Sequence, residues 1–228
     1  KSLSTLPVAT IVVGTALSII PVIRLMSMFG RKKVFLSVCL YTIVLIGLSI
    51  YSILSESFML FCFSSFCLGA TVATMNQFRF AAIESVDINQ QTTATAIVLL
   101  GGILAAYLGT EIATLGSDWF EGDFVGSFVL LALFFVLAFV LLCFFQPTEK
   151  FHEQVDKSRR PLIEIIKQGS FIVAASAATT GYVVMSFVMT ATPVSMHVMD
   201  GFSLEHTKFV LQSHVIAMFL PSLFTAMI

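Results

Sequence analysis

Along this chain, apolar residues gather into seven long blocks, approximately 4–28, 34–54, 58–82, 92–115, 124–145, 168–192 and 208–228. A helix rising about 1.5 Å per residue needs about 20 residues to cross a hydrocarbon core of about 30 Å, so each block predicts one membrane-spanning helix. The blocks show no alternation with period two and are about twice as long as a barrel strand, which excludes a transmembrane β-barrel. The expected architecture is all-α, a polytopic membrane protein with seven transmembrane helices.

Composition agrees with the pattern. Of 228 residues, 57% are hydrophobic and 11% charged, against about 45–50% and about 25% in an ordinary soluble domain. With a mean hydropathy of +0.98 and 23 Phe, the surface must meet lipid rather than water. Cys39, Cys62, Cys67 and Cys143 all lie in apolar stretches, with no Cys-x-x-Cys and no Cys/His spacing for zinc. They read as small buried hydrophobes, and neither a metal nor a cofactor is expected.

The near-neutral charge of -1 conceals a segregation. Successive breaks between blocks fall on alternate sides of the bilayer. One side collects Arg24, Arg31, Lys32, Lys33, Arg79, Lys150, Lys157, Arg159, Arg160 and Lys167, and the other only Lys1 and Lys208. The positive-inside rule therefore runs the first block from outside to inside and ends the seventh inside. A nucleic-acid partner is not expected from this distribution; the partner surface is the bilayer.

Several motifs carry a family likeness. The first inner turn ends in Gly30-Arg31-Lys32-Lys33, which makes its two helices antiparallel neighbours and sets cations beside helix carbonyls and lipid phosphates. It resembles the loop between helices two and three of the major facilitator superfamily, Gly-x-Leu-x-Asp-Arg-x-Gly-Arg-Arg/Lys. Gly30, Arg31 and Lys32 match its end, while Ile23, Ser27 and Met28 stand where the family has Gly, Asp and Arg.

The fourth block holds Gly101-Gly102 and Gly109. Gly101, Ala105 and Gly109 repeat every four residues, a small-residue face on which another backbone can approach closely. This block is similar to the Gly-rich helix five of the superfamily, with Thr110 at the family's Pro. Residues 69–87 look like its helix four. The long inner stretch 146–167 resembles the linker between its two six-helix halves. Ile20-Pro21-Val22-Ile23 and Leu220-Pro221-Ser222-Leu223 occupy similar depths in helices six apart, as parallel six-helix repeats would require.

On that likeness, residues 1–145 form an N-terminal bundle of five spans, 146–167 a cytoplasmic linker and 168–228 the first two spans of a C-terminal bundle. The chain then corresponds to helices two to eight of twelve, a fragment lacking helix one and helices nine to twelve. The likeness is to bacterial facilitators, which implies a multi-pass protein of the bacterial inner membrane, the linker being cytoplasmic.

Candidate functional residues follow from polarity at membrane depth. Intramembrane ionisable and amide side chains are expensive in lipid and are functional candidates. Asn76, Gln77, Arg79, Glu111, Tyr182, Gln212 and His214 are the candidates for the path of a substrate or proton. Each has a plainer reading. Arg79 can snorkel at the cytoplasmic end, Glu111 can be a solvated carboxylate near the outer end, and His214 can be a satisfied bundle histidine. Pro21, Gly30, Arg31, Lys32, Gly101, Gly102, Gly109, Pro193 and Pro221 are candidates for bending or gating. Pro193 and Pro221 each remove a backbone donor within an apolar run.

The resemblance implies a secondary active transporter that moves a small solute by alternating access, with a proton as candidate coupling ion. A seven-helix receptor, or another polytopic membrane protein without transport activity, is the alternative. Neither Glu/Asp-Arg-Tyr after the third block nor Asn-Pro-x-x-Tyr at the end of the seventh occurs. No enzyme is expected, since His152-Glu153 lacks the second His of a metalloprotease motif and no Asp pair lies at membrane depth.

Overall fold

A computed structural model describes residues 3–120, 122–145 and 162–225. These residues contain helices and turns, with no strand among them. The helices are α1 (Leu6–Phe29), α2 (Arg31–Leu54), α3 (Phe58–Met75), α4 (Phe78–Glu84), α5 (Gln91–Leu115), α6 (Val125–Cys143), α7 (Leu162–Ile166), α8 (Gly169–Pro193) and α9 (Leu204–Thr225). The expected boundaries hold to within a few residues, except in two places.

The third block is not one smooth helix. Its ladder tightens where the Gln77 amide donates to the Thr74 carbonyl at 3.0 Å, and α4 starts afresh at Phe78. The second difference is at the seventh block. Six spans are long and apolar enough to cross a membrane, with α3 and α4 counted together as one. Over its described residues α9 is not among them, because its first half carries Glu205, His206, Lys208, Gln212, Ser213 and His214. It also begins four residues earlier than the apolar run, at a Ser203 hydroxyl that accepts from the His206 amide at 3.2 Å.

The described chain divides into two compact units, Lys1–Thr148 with Gln212–Ile228, and Glu149–Leu211. The division falls inside α9. In the first unit, α1 and α3 approach backbone to backbone. A Cβ on Gly14 would overlap the Phe66 carbonyl, and one on Gly69 would overlap the backbone of Gly14 and Thr15. Lipid tails are as apolar as leucine, so such close packing and hydrogen bonds between helices, rather than escape from water, hold spans together.

Two apolar clusters complete the packing. Val22, Met26, Val34, Phe35, Ala73 and Ala81 bury one another around the turn between α1 and α2 and the junction of α3 with α4, with the Phe35 and Phe78 rings stacked at 4.4 Å. Cys39, Ile46 and Phe135 join α2 to α6. Between α2 and α3 runs a polar ladder: Thr42 with Thr71 at 2.6 Å, Ser49 donating to Ser64 at 3.0 Å, and the Tyr41 hydroxyl donating to the Cys67 carbonyl at 3.1 Å. Elsewhere, large apolar side chains such as Leu17, Val44, Leu104 and Leu133 face outward, as a lipid-facing surface requires.

In the second unit, α8 runs to Pro193 and then widens into a π-helical turn, Val194–Met199. Pro193 cannot donate to the carbonyl one turn back, and the wider turn takes over from that point. Gly201, at φ 71, reverses the chain into α9.

Candidate functional site

One end of the first unit is built on Gly30. Its φ of 83 lies in the left-handed region that glycine adopts without strain, so α1 can end and α2 begin on one residue. That turn sets Arg31 and Lys32 in the first turn of α2. The Arg31 guanidinium donates to the Glu84 carboxylate at the end of α4 at 2.6 Å and reaches the Gln77 carbonyl at 3.5 Å. Arg31 is 10% exposed and Glu84 32%, so the pair is largely shielded from water. Lys32 donates to the Cys143 carbonyl at 2.7 Å, capping the C-terminal end of α6 where helix carbonyls are unsatisfied.

The second polar constellation joins α5 to α9 within the first unit. Gln212, only 8% exposed, turns its carboxamide toward α5. Its Nε2 donates to the Thr110 hydroxyl at 2.7 Å and to Glu111 Oε1 at 3.1 Å, and lies 3.5 Å from the Tyr107 carbonyl. Glu111 and Gln212, candidates drawn from separate parts of the sequence, thus share one cluster. Thr110, which the sequence reading took only as the residue in place of a proline, supplies its shortest bond.

Within the first unit, the other candidates lie outside this cluster. Asn76 and Gln77 occupy the junction between α3 and α4. Arg79 is exposed, with its guanidinium 5.2 Å from the centre of the neighbouring Phe80 ring. His214 is half-buried and, two residues beyond Gln212, points about 200° away around the helix. Tyr182 is exposed on α8 in the second unit.

Of the bending candidates, Pro21 lies inside α1, which continues through it, and Pro193 ends α8. The backbone of Pro221 lies within α9; its side chain is outside the described set.

Among the described residues, no helix approaches the face expected at Gly101, Ala105 and Gly109. Around Gly101 and Gly109 there is open space among the described residues. Gly102, one residue and about 100° further round, meets the ring of Phe219. A cavity of about 510 Å³ does open beside Gly109, between Ile53, Phe61, Ile112, Phe124, Phe128 and Leu131. Apart from Asp123 and Ser127 its lining is apolar, so it offers little to recognise a polar solute.

Glu84 is the functional-looking residue that sequence reasoning passed over. No spacing in the sequence links it to Arg31, 53 positions away. Among the described residues no group of three His, Cys, Asp or Glu could hold a metal ion.

The sequence profile of the Major Facilitator Superfamily matches residues 1–228. The chain belongs to the Major Facilitator Superfamily. Among curated members of this superfamily or its transporter relatives, it is 32% identical over 227 residues to the riboflavin transporter RfnT of Brucella anthropi, an alignment covering 98% of this chain and 57% of that protein. It is 28% identical to the uncharacterized MFS-type transporter YdeG of Bacillus subtilis, over 98% of this chain and 55% of the relative. With YddS, also an uncharacterized MFS-type transporter of Bacillus subtilis, it shares 26% over 80% of this chain and 45% of the relative. The chain thus spans about half the length of the curated relatives it matches. No solved structure matches it significantly. As a member of the superfamily, the chain is a polytopic, all-helical membrane protein.

Proposed function

We propose that the full-length protein is a secondary active transporter that moves a small organic solute by alternating access. The observation that carries this reading is the 32% identity to a riboflavin transporter, sustained over 98% of this chain. Alternating access rocks two helix bundles about a site near the bilayer midplane. Here residues 1–145 belong to one bundle, 168–228 begin the other, and 146–167 link them on the cytoplasmic side of a bacterial inner membrane.

The polar candidates suit a solute rich in hydrogen-bonding groups. Asn76, Gln77 and Gln212 carry both donors and acceptors, Glu111 is an acceptor when ionised, and Tyr182 and His214 can do either. A flavin presents imide donors and acceptors along one edge and a row of hydroxyls, so riboflavin is the first solute to test. Glu111 and His214 are the candidate proton carriers.

The test is uptake by the full-length protein reconstituted in liposomes. The expected result is saturable riboflavin accumulation, competed by unlabelled riboflavin and reduced when an imposed pH gradient is collapsed. Saturable uptake that ignores the gradient would remove the proton from the proposal and keep the transporter. Flux equal to that of empty liposomes, for riboflavin and for a panel of small solutes, would overturn it.

A further inference from the structure

Four helices wall the cavity of about 510 Å³, with Ile53 of α2, Phe61 of α3, Ile112 of α5 and Phe128 of α6 among its lining. Its volume is that of a ligand pocket, about 300–1,000 Å³. Two lining side chains are polar. The Ser127 hydroxyl donates its proton to the Ala113 carbonyl at 2.7 Å, while Asp123 stands exposed. The interior is therefore apolar, with one carboxylate at its edge.

The turn from α5 to α6 that closes this end is tightly built. Gly116 and Gly126 meet so closely that a Cβ on either would overlap backbone across the turn. Phe124, which lines the cavity, is held at φ 65, a left-handed conformation that a bulky residue adopts only where its surroundings enforce it. Such strain gathers at binding sites. Trp119 and Phe120 are half exposed in the same turn, and exposed aromatics, Trp above all, mark the headgroup level of a bilayer. The charge distribution places this end outside.

An empty apolar volume of this size is costly in proportion to its size, and apolar walls give water too few partners to fill it. In a bilayer the apolar matter at hand is an acyl chain. Gly109 and Leu131 are exposed, so among the described residues the cavity opens sideways. The two turns at this end, 55–57 and 116–124, hold Glu56, Asp118, Glu121 and Asp123 and no base. A headgroup that carries an ammonium complements them, and one that is only anionic is repelled.

We propose that the cavity binds an outer-leaflet phospholipid with an ammonium headgroup: one acyl chain fills it, and the ammonium meets the Asp123 carboxylate. The site needs a bilayer and does not depend on the transporter reading.

The test uses the full-length protein in nanodiscs of equal phosphatidylethanolamine and phosphatidylglycerol, with the retained lipid identified by native mass spectrometry. The parent should retain phosphatidylethanolamine over phosphatidylglycerol by about twofold to fivefold, within the span of an exposed ion pair. Asp123→Asn should bring the two lipids to equal retention. Ala113→Phe, which fills the cavity, should lose both, and Val44→Phe, on the outward face of α2, should change neither. Equal retention by the parent, or a preference that survives Asp123→Asn, would overturn the headgroup contact.

A second arm needs no variant to fold. Phosphatidylethanolamine with a diazirine in one acyl chain, photolysed in the same nanodiscs, should leave adducts concentrated on Phe61, Phe128 and Leu131. Adducts no denser there than at outward positions such as Leu17 and Val44 would overturn the acyl site. So would the absence of adducts from all three, which is the result if another helix of the full-length protein fills the space.

Discussion

At Gly14 a single methyl group has nowhere to go, because the position of its Cβ is already taken by the carbonyl of Phe66. Gly69 is similarly closed by Gly14 and Thr15. Gly14→Ala or Gly69→Ala must push α1 away from α3, with an expected loss of about 1–3 kcal/mol, typical of overpacking. Gly47→Ala and Gly109→Ala, around which the described residues leave open space, should leave thermal melting in detergent or nanodiscs near the parent value. Equal losses at all four positions would contradict the packing.

The sequence could not have ranked these glycines. Helices that are apolar all round carry no amphipathic stripe to say which face meets a neighbour. A four-residue spacing fits two small-residue faces on α5, Gly101-Ala105-Gly109 and Gly102-Ala106-Thr110, and among the described residues Phe219 and Gln212 meet the second. The ladder of Thr42, Thr71, Ser49 and Ser64 was hidden for the same reason, since each is an ordinary small polar residue until a second helix pairs it.

At the level of elements, chain punctuation was legible and pairing across the chain was not. Gly30 followed by Arg31 and Lys32 marked the turn between α1 and α2, and the turn is there. Its partner Glu84 needed α3 to stop and α4 to restart, a break marked between Met75 and Ile83 only by Asn76, Gln77 and Arg79. Likewise Ser203 starts α9 ahead of the apolar residues from which the helix was read.

Because Arg31 is the more buried partner, the pair has an asymmetric consequence. Glu84→Gln takes the negative charge out of the 2.6 Å contact with a shielded guanidinium and should cost about 1.5–3 kcal/mol, the range for hydrogen bonds to charged groups. Once Arg31→Met has removed the cation, the same change should cost much less. A double-mutant cycle on thermal or denaturant unfolding measures the coupling, and additive losses would show that the 2.6 Å contact contributes no coupling energy.

At the scale of the whole molecule, composition alone was sufficient for a membrane protein, and the family match over the full 228 residues agrees with the layout of spans. The segregation of charge makes a prediction that composition does not. In intact cells a membrane-impermeant thiol reagent should reach Asp118→Cys directly and Lys33→Cys only after permeabilisation. The reverse pattern would invert the orientation and place the hydrogen-bonded cluster of Gln212, Thr110 and Glu111 near the cytoplasmic face. What the sequence left open at this scale is cargo, because substrate choice rests on a few polar side chains whose grouping appears only when helices pack, as Glu111 and Gln212 do.

The most direct measurement is riboflavin flux in liposomes carrying the full-length protein. The account predicts saturable uptake well above empty liposomes, competed by unlabelled riboflavin. Flux that never exceeds empty liposomes, for riboflavin or any solute in the panel, from protein that melts cooperatively, would contradict it.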